Sequence, residues 1–156
     1  MTEAESAFAA FGVATQALLL AFFAARRWFP PLAGRFGWVA YAFAALGLPL
    51  GAWLLVSGQS PVLIVGPLLM ATWALLGAVV DLWRPRQWRR PPVAWRVLIP
   101  YLAVYFVGQM FMWWPLWHIE RAAWVLFLVL FVPSTVLNIL GHAGHGSAGR
   151  GLTRSA

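Results

Sequence analysis

Residues 62–80 read VLIVGPLLMATWALLGAVV, a run of 19 residues that contains no charged side chain. An α-helix rises about 1.5 Å per residue, so about 20 residues cross the roughly 30 Å hydrocarbon layer of a bilayer. The run does not alternate apolar with polar residues, as a strand of a membrane β-barrel would. In lipid, only a helix can then satisfy the backbone hydrogen bonds of such a segment. The run therefore predicts a transmembrane helix.

Four further apolar runs flank this one, and together they predict the fold class. Of the 156 residues, 62% are hydrophobic and only 10% are charged, whereas a soluble domain carries about a quarter charged residues. So few charges could not cover a water-facing surface. We predict an all-α polytopic membrane protein with a five-helix transmembrane domain over residues 1–141 and a flexible cytoplasmic tail over residues 142–156. The five spans are predicted at about 7–27, 38–57, 62–83, 97–117 and 122–141.

The placement of arginine predicts the direction of each span. When the connecting loops are assigned alternately to two sides, ten of the eleven arginines fall on one side, and Arg121 is the exception. Short loops rich in arginine stay in the cytoplasm. We therefore expect the N-terminus outside, the C-terminus inside, and a location in a bacterial cytoplasmic membrane. The formal net charge of +7 is thereby attributed to orientation and lipid contact, and no nucleic-acid partner is expected.

The longest predicted loop interleaves tryptophan with arginine. At the inner leaflet, indoles favour the interface and guanidinium groups favour lipid phosphate. We interpret this loop as an anchor on anionic lipid at the cytoplasmic face, with a docking surface for a partner protein as the alternative. The residues predicted to make these contacts are Arg84, Arg86, Trp88, Arg89, Arg90, Trp95 and Arg96.

Span 2 carries a stripe of small residues at Ala40, Ala44, Gly47 and Gly51. The 4-3-4 spacing places them on one face of a helix. Because lipid tails are as apolar as leucine, helices associate in a bilayer by close packing. This stripe is therefore our prediction for the tightest helix contact. The apolar helices also allow a homodimer or a partner in a larger membrane complex.

Few residues inside the spans could carry chemistry. Cysteine is absent, which excludes disulfides and cysteine-ligated metal or iron–sulfur sites. The polar residues in the middle of the spans are the neutral Gln16, Thr72 and Gln109, for which hydrogen bonding between helices is the favoured interpretation. His142 and His145 are three residues apart but lack a third ligand. We expect no cofactor and no metal.

The predicted outer connection between spans 4 and 5 is the other polar region. A histidine beside a carboxylate could perform acid–base chemistry, although solvated ion pairs are routine in such loops, and we expect no enzymatic activity. The residues that could meet there are Gln59, His118, Glu120 and Arg121, around Trp113, Trp114 and Trp117.

Two short motifs carry a resemblance to a known family. Residues 28–31 read WFPP in the first cytoplasmic loop, and residues 137–138 read LN late in span 5. They resemble the W-x-P-P and Leu-Asn motifs of the TspO/translocator family, the tryptophan-rich sensory proteins. Length, five spans, orientation and eleven tryptophans also resemble that family. The family's Asn followed by Trp-x-Pro in the third span is not reproduced around Trp73.

The resemblance implies an aromatic-lined cavity between the helices, open to the first cytoplasmic loop. It would bind a flat apolar ligand such as a porphyrin or a sterol, with indoles as stacking surfaces and an asparagine as a polar handle. The residues that it implies are Trp28, Pro30, Pro31, Trp38, Trp73 and Asn138. The alternative function is a structural or accessory subunit of a larger membrane complex.

Overall fold

The computed structural model describes the backbone of residues 1–83 and 95–143, and the side chains of residues 1–80 and 95–140. Every regular element within these ranges is helical. The α-helices are α1 (Glu3–Trp28), α2 (Pro30–Phe36), α3 (Trp38–Ala45), α4 (Gly47–Val56), α5 (Pro61–Gly77), α6 (Trp95–Ile119) and α7 (Arg121–Ala143), and a π-helical segment (Ala78–Trp83) follows α5.

These helices form five units that are long enough and apolar enough to cross a membrane, which confirms the predicted number of spanning helices. Spans 1 to 5 are Glu3–Trp28, Pro30–Val56, Pro61–Val80, Trp95–Ile119 and Arg121–Leu140. The predicted tail lies outside the described residues, except that 142 and 143 continue the helix of span 5.

Span 1 begins at Glu3, before the predicted start at residue 7, because the N-terminal end of the helix is capped. The Thr2 side chain accepts a hydrogen bond from the backbone N–H of Glu5 at 3.2 Å, and the Thr2 N–H donates to the Glu5 carboxylate at 2.7 Å. This reciprocal pair satisfies two backbone donors at the start of the helix. The acidic residues there also favour the helix N-terminus electrostatically.

Span 2 is divided into three helical pieces. The first break lies at Gly37 and the second at Leu46. Pro49 explains the second break. Its nitrogen carries no hydrogen to donate to the carbonyl of Ala45, four residues earlier, and its ring clashes with that carbonyl. At the break, the Leu46 N–H bonds to the Phe43 carbonyl at 3.0 Å instead of four residues back, so the chain bends while its backbone remains paired.

Consecutive spans run antiparallel, as pairs of close residues require. Between spans 3 and 4, Gly66 lies against Phe111, and Trp73 lies against Tyr105. Rising numbers in span 3 thus meet falling numbers in span 4. We call the end of the bundle that holds the start of span 1 the N-terminal face, and the opposite end the C-terminal face. The connections 57–60 and 119–121 lie at the N-terminal face.

Burial is distributed unevenly among the spans. Half of the apolar window of span 3 is buried (50%), compared with 11% for span 5. Span 3 therefore forms the centre of the bundle, with spans 2 and 4 packed on it, while span 5 packs mainly along span 1 and leaves most of its surface open. The connection between spans 4 and 5 lies at the edge of this less buried part.

Candidate functional site

The ligand-binding residues predicted from the sequence occupy two different environments. Trp28 and Trp38 are 61% and 54% exposed, and Pro30 and Pro31 are exposed in the first turn of α2 between them. Trp73 is only 2% exposed, inside the bundle. The sixth residue of that set, Asn138, is half-buried on span 5.

Trp73 is enclosed by all three tyrosines of the chain, and we call these four residues the Trp73 cluster. The centroids of the Tyr41, Tyr101 and Tyr105 rings lie 5.5, 5.9 and 5.2 Å from that of Trp73. These are distances at which tilted aromatic pairs attract. The tyrosines are each less than 9% exposed. The cluster thus fills the space between spans 2, 3 and 4 and has the character of a packed core.

A polar network links four spans beside this cluster. The Gln16 side-chain amide of span 1 donates to the Gln109 carbonyl oxygen of span 4. The Gln109 amide lies 3.5 Å from the sulfur of Met70 in span 3, and the Ser134 hydroxyl of span 5 lies 3.5 Å from the Gln16 carbonyl oxygen. Gln16, Gln109 and Ser134 are buried. A buried amide left unpaired in lipid would be costly, so this network fixes how the spans meet.

The small-residue stripe of span 2 faces span 3. All four of its residues are buried, and Ala44 is 0% exposed. A Cβ atom added to Gly47 would lie 2.1 Å from the carbonyl oxygen of Pro67, and one added to Gly51 would lie 2.6 Å from the Leu68 side chain. At Gly47 the two backbones approach too closely for a larger residue, whereas at Gly51 the Leu68 side chain would have to move.

A groove opens between spans 4 and 5 at the N-terminal face. Its volume is about 280 Å³, and its lining consists of Trp113, Trp114, Trp117 and Trp124; we call it the tryptophan groove. Trp113 and Trp124 are stacked at 5.5 Å with an interplanar angle of 25°, and Trp117 meets Trp124 edge-on at 4.8 Å. Trp114 is 62% exposed and Trp117 is 45% exposed. Three of the four indoles therefore contact one another through Trp124, and ring surface remains uncovered at Trp114 and Trp117.

The helix sequences explain why these indoles meet. Trp113 and Trp117 are four residues apart in span 4, and Trp114 and Trp117 are three apart, which are the spacings of neighbours on a helix surface. Trp124 lies in the first turn of span 5, directly after the connection. An antiparallel pair with such a short connection brings the two sets of indoles to the same depth.

Polar groups surround the mouth of the tryptophan groove. The guanidinium carbon of Arg121 lies 5.1 Å from the centre of the Trp117 ring, a cation–π contact. The His118 ring lies 6.2 Å from that of Trp114. Glu120 accepts a hydrogen bond from the Ala122 N–H at 3.1 Å and so caps span 5. Arg121 forms no ion pair with a carboxylate in the described part of the chain.

One lining residue has an unused hydrogen-bond donor. The indole nitrogen of Trp113 is buried and has no partner within residues 1–80 and 95–140. The ring nitrogen of Trp73 is in the same situation, but it belongs to the closed cluster. Of these two buried indole N–H groups, the one on Trp113 belongs to a residue that lines the open groove.

The predicted lipid-contact loop lies mostly outside the described residues. Trp95 is 62% exposed, and Arg96 is exposed beside it at the start of span 4. The remaining five residues of that prediction, Arg84, Arg86, Trp88, Arg89 and Arg90, are outside the described ranges. In the described part of the chain, no group of three His, Cys, Asp or Glu side chains is arranged to hold a metal ion.

Comparison with known protein families, with curated proteins and with solved structures finds no match for this chain. The geometry therefore has to carry the functional argument. Sequence analysis located the outer tryptophans beside the 119–121 connection, but it did not identify them as the lining of a groove. The spacing of Trp113, Trp114 and Trp117, together with a tryptophan three residues into span 5, was the available signal.

Proposed function

We propose that this protein is an integral membrane protein that binds a small, planar, apolar ligand in the tryptophan groove. The observation that carries the proposal is the open space of about 280 Å³ lined by four indoles from two spans. Small-molecule sites are concave and mostly apolar, and commonly measure about 300–1,000 Å³. A groove just below that range accommodates one part of a ring system, and the rest of the ligand contacts lipid.

The chemistry of the lining favours a flat ring as the ligand. Aromatic pairs gain about 0.5–1.5 kcal/mol beyond the burial of their area. Trp114 and Trp117 keep ring surface exposed, so a planar ligand can extend the existing stack. Porphyrin-like and sterol-like molecules fit this description. The resemblance of residues 28–31 and 137–138 to the TspO/translocator family supports the same ligand class, although that family's pattern would place the site near the C-terminal face.

Binding can be measured with the chain in lipid nanodiscs, because a planar porphyrin quenches tryptophan fluorescence. We expect saturable quenching by protoporphyrin beyond that caused by partitioning into empty nanodiscs. Trp113→Leu and Trp124→Leu should weaken binding by about 2- to 10-fold each, the equivalent of one aromatic contact. Trp28→Leu and Trp38→Leu are matched controls, since both indoles are exposed near the opposite face.

Two outcomes would contradict this proposal. Quenching no stronger than partitioning would remove ligand binding altogether. A loss of binding in Trp28→Leu and Trp38→Leu, with the groove variants unaffected, would move the site to the residues implied by the family resemblance.

The orientation in the membrane is part of the proposal. Of the described arginines, Arg26, Arg27, Arg35 and Arg96 belong to the C-terminal face. By sequence, ten of the eleven arginines alternate onto that side, so we assign it to the cytoplasm. The tryptophan groove then opens toward the outer leaflet. Reporter fusions should place residues 58–61 outside and the loop around Arg89 inside; detection of both in one compartment would contradict the assignment.

A second candidate is an accessory subunit of a larger membrane complex. The specific observation is the poor burial of span 5, whose residues Val129, Val132 and Val136 are 61%, 52% and 48% exposed. Such a face would suit a neighbouring transmembrane helix. Extraction in mild detergent should then recover a stoichiometric partner, whereas a lone monomer or homodimer would argue against this role.

A further inference from the structure

The tryptophan groove ends where its ligand would meet water. Trp113, Trp114 and Trp117 lie in the last two turns of span 4, which ends at Ile119, and Trp124 lies in the first turn of span 5. Tryptophan collects at the depth of the lipid head groups. A ring held against these indoles therefore lies just below the membrane surface, and any polar group on it extends toward the 119–121 connection.

The groups around that connection are mostly hydrogen-bond donors. The Trp113 indole N–H is buried and unpartnered among the described residues, and indole is a donor only. The guanidinium carbon of Arg121 lies 5.1 Å from the centre of the Trp117 ring. The guanidinium N–H groups are hydrogen-bond donors. His118, next to Trp114, supplies a donor from one ring nitrogen. A ligand group that faces Arg121 and His118 therefore has to accept hydrogen bonds.

The Glu120 carboxylate, next to Arg121 in the chain, does not reverse that balance. One oxygen of Glu120 already accepts from the Ala122 N–H at 3.1 Å. Arg121 offsets its charge without forming an ion pair among the described residues. A ligand carboxylate could therefore engage the guanidinium in a charge-assisted hydrogen bond, which is about twice as strong as a neutral one. A ligand ammonium group would instead face the like charge of Arg121, beside a Glu120 that is already partly engaged.

We propose that the ligand of the tryptophan groove is an amphiphilic planar acid, with its ring on the indoles of the groove and its carboxylate bound by Arg121. This inference rests on the proposed function and adds the chemical class of the ligand. The arrangement acts as an oriented site: the apolar part enters from the lipid side and the carboxylate remains at the head-group level.

The test compares three pyrene probes that share one ring system, using the full chain in zwitterionic nanodiscs with protein-free nanodiscs as the reference. The probes are pyrenebutyrate, its methyl ester and a pyrene-alkylammonium. After subtraction of partitioning, we expect the acid to bind at least about tenfold more tightly than the ester, and the ammonium most weakly.

Equal binding of acid and ester would overturn the proposed acid selectivity while leaving ring binding intact. Saturable binding of none of the probes would instead refute the proposed function.

Variants at the mouth sharpen the result. Arg121→Gln should remove most of the tenfold preference for the acid, so that the acid and the ester bind this variant with similar affinity. Glu120→Gln should strengthen acid binding by a few-fold, the opposite sign. Arg27→Gln is the matched control, because Arg27 is an exposed arginine near the C-terminal face. An unchanged acid preference in Arg121→Gln would overturn the role given to Arg121.

Discussion

The molecule contains two aromatic groups of similar size with opposite character. The Trp73 cluster lies between spans 2, 3 and 4, and its tryptophan is 2% exposed. The tryptophan groove lies between spans 4 and 5, and its Trp114 is 62% exposed. Both consist of four aromatic side chains. The difference teaches that the number of aromatic residues does not decide whether such a group is closed or open; the number of helices that enclose it does.

The helix backbones explain why one region is closed. Gly77 lies directly against Tyr41, since a Cβ added there would be 2.4 Å from the tyrosine ring, and Gly47 lies against the Pro67 backbone. These close approaches draw span 2 onto span 3 and seal one side of the Trp73 cluster. Span 5 has only 11% of its apolar window buried and places no third helix over its tryptophans. Bulky indoles then hold spans 4 and 5 apart and leave a groove.

The largest effect should come from emptying the closed cluster. Trp73→Ala should lower the free energy of unfolding in detergent micelles by about 3–5 kcal/mol, because the removed ring leaves a cavity among three tyrosines. Trp114→Ala is the control: it removes the same side chain from an exposed position and should cost less than about 1 kcal/mol. Equal losses in the two variants would end the distinction between the regions.

The close contact between spans 2 and 3 can be tested with one added methyl group. Gly47→Ala should destabilise the fold by about 1–3 kcal/mol, since the backbone carbonyl of Pro67 cannot move aside as a side chain would. Gly34→Ala should have no destabilising effect, because an added Cβ would have no atom from another part of the structure within 4 Å. Thermal unfolding followed by circular dichroism would compare the two, and a neutral Gly47→Ala would show that the helices are not in backbone contact.

The polar network between the two regions should contribute a smaller amount. Gln109→Leu should cost about 1–2 kcal/mol, because hydrogen bonds between membrane helices contribute that much at most. A double-mutant cycle with Gln16→Leu would isolate the pair, and the double variant should cost less than the sum of the single variants. Strict additivity would mean that the two amides do not interact.

The smallest change in stability should occur in the groove. Trp124→Leu keeps an apolar residue at a half-buried position, so we expect less than about 1 kcal/mol of destabilisation, together with weaker binding of a planar ligand. The measurement is a pair of curves, unfolding and porphyrin titration, on the same preparation. A large loss of stability with unchanged binding would assign this indole to the core.

Much of the fold follows from the sequence because lipid imposes a simple rule. Runs such as 62–80 can only be helices in a bilayer, and the structure has five of them. The 4-3-4 spacing of the small residues places them on one face, and that face meets span 3. Within span 2, Pro49 predicts a kink, and the second break lies just before it at Leu46, whereas the first break at Gly37 was not predicted.

The site was harder to predict because it depends on distances between helices. The sequence marks Trp73 and Trp114 alike as aromatic residues of a span, and nothing local distinguishes a tryptophan enclosed by three tyrosines from one facing open space. The partners of Trp73 come from spans 2 and 4, up to 32 residues away in sequence. Only the tertiary packing shows which indoles keep free ring surface.

Indole N–H spectra provide the most direct test of the central claim, that the open tryptophans bind while the enclosed one packs. With ¹⁵N-labelled tryptophan, the eleven indole signals can be assigned by single Trp→Phe variants and followed during titration with a planar probe in nanodiscs. Our account predicts saturable shifts at Trp113, Trp114, Trp117 and Trp124, with Trp73 unmoved. Shifts centred on Trp73, Trp28 and Trp38, with the groove signals unchanged, would contradict it.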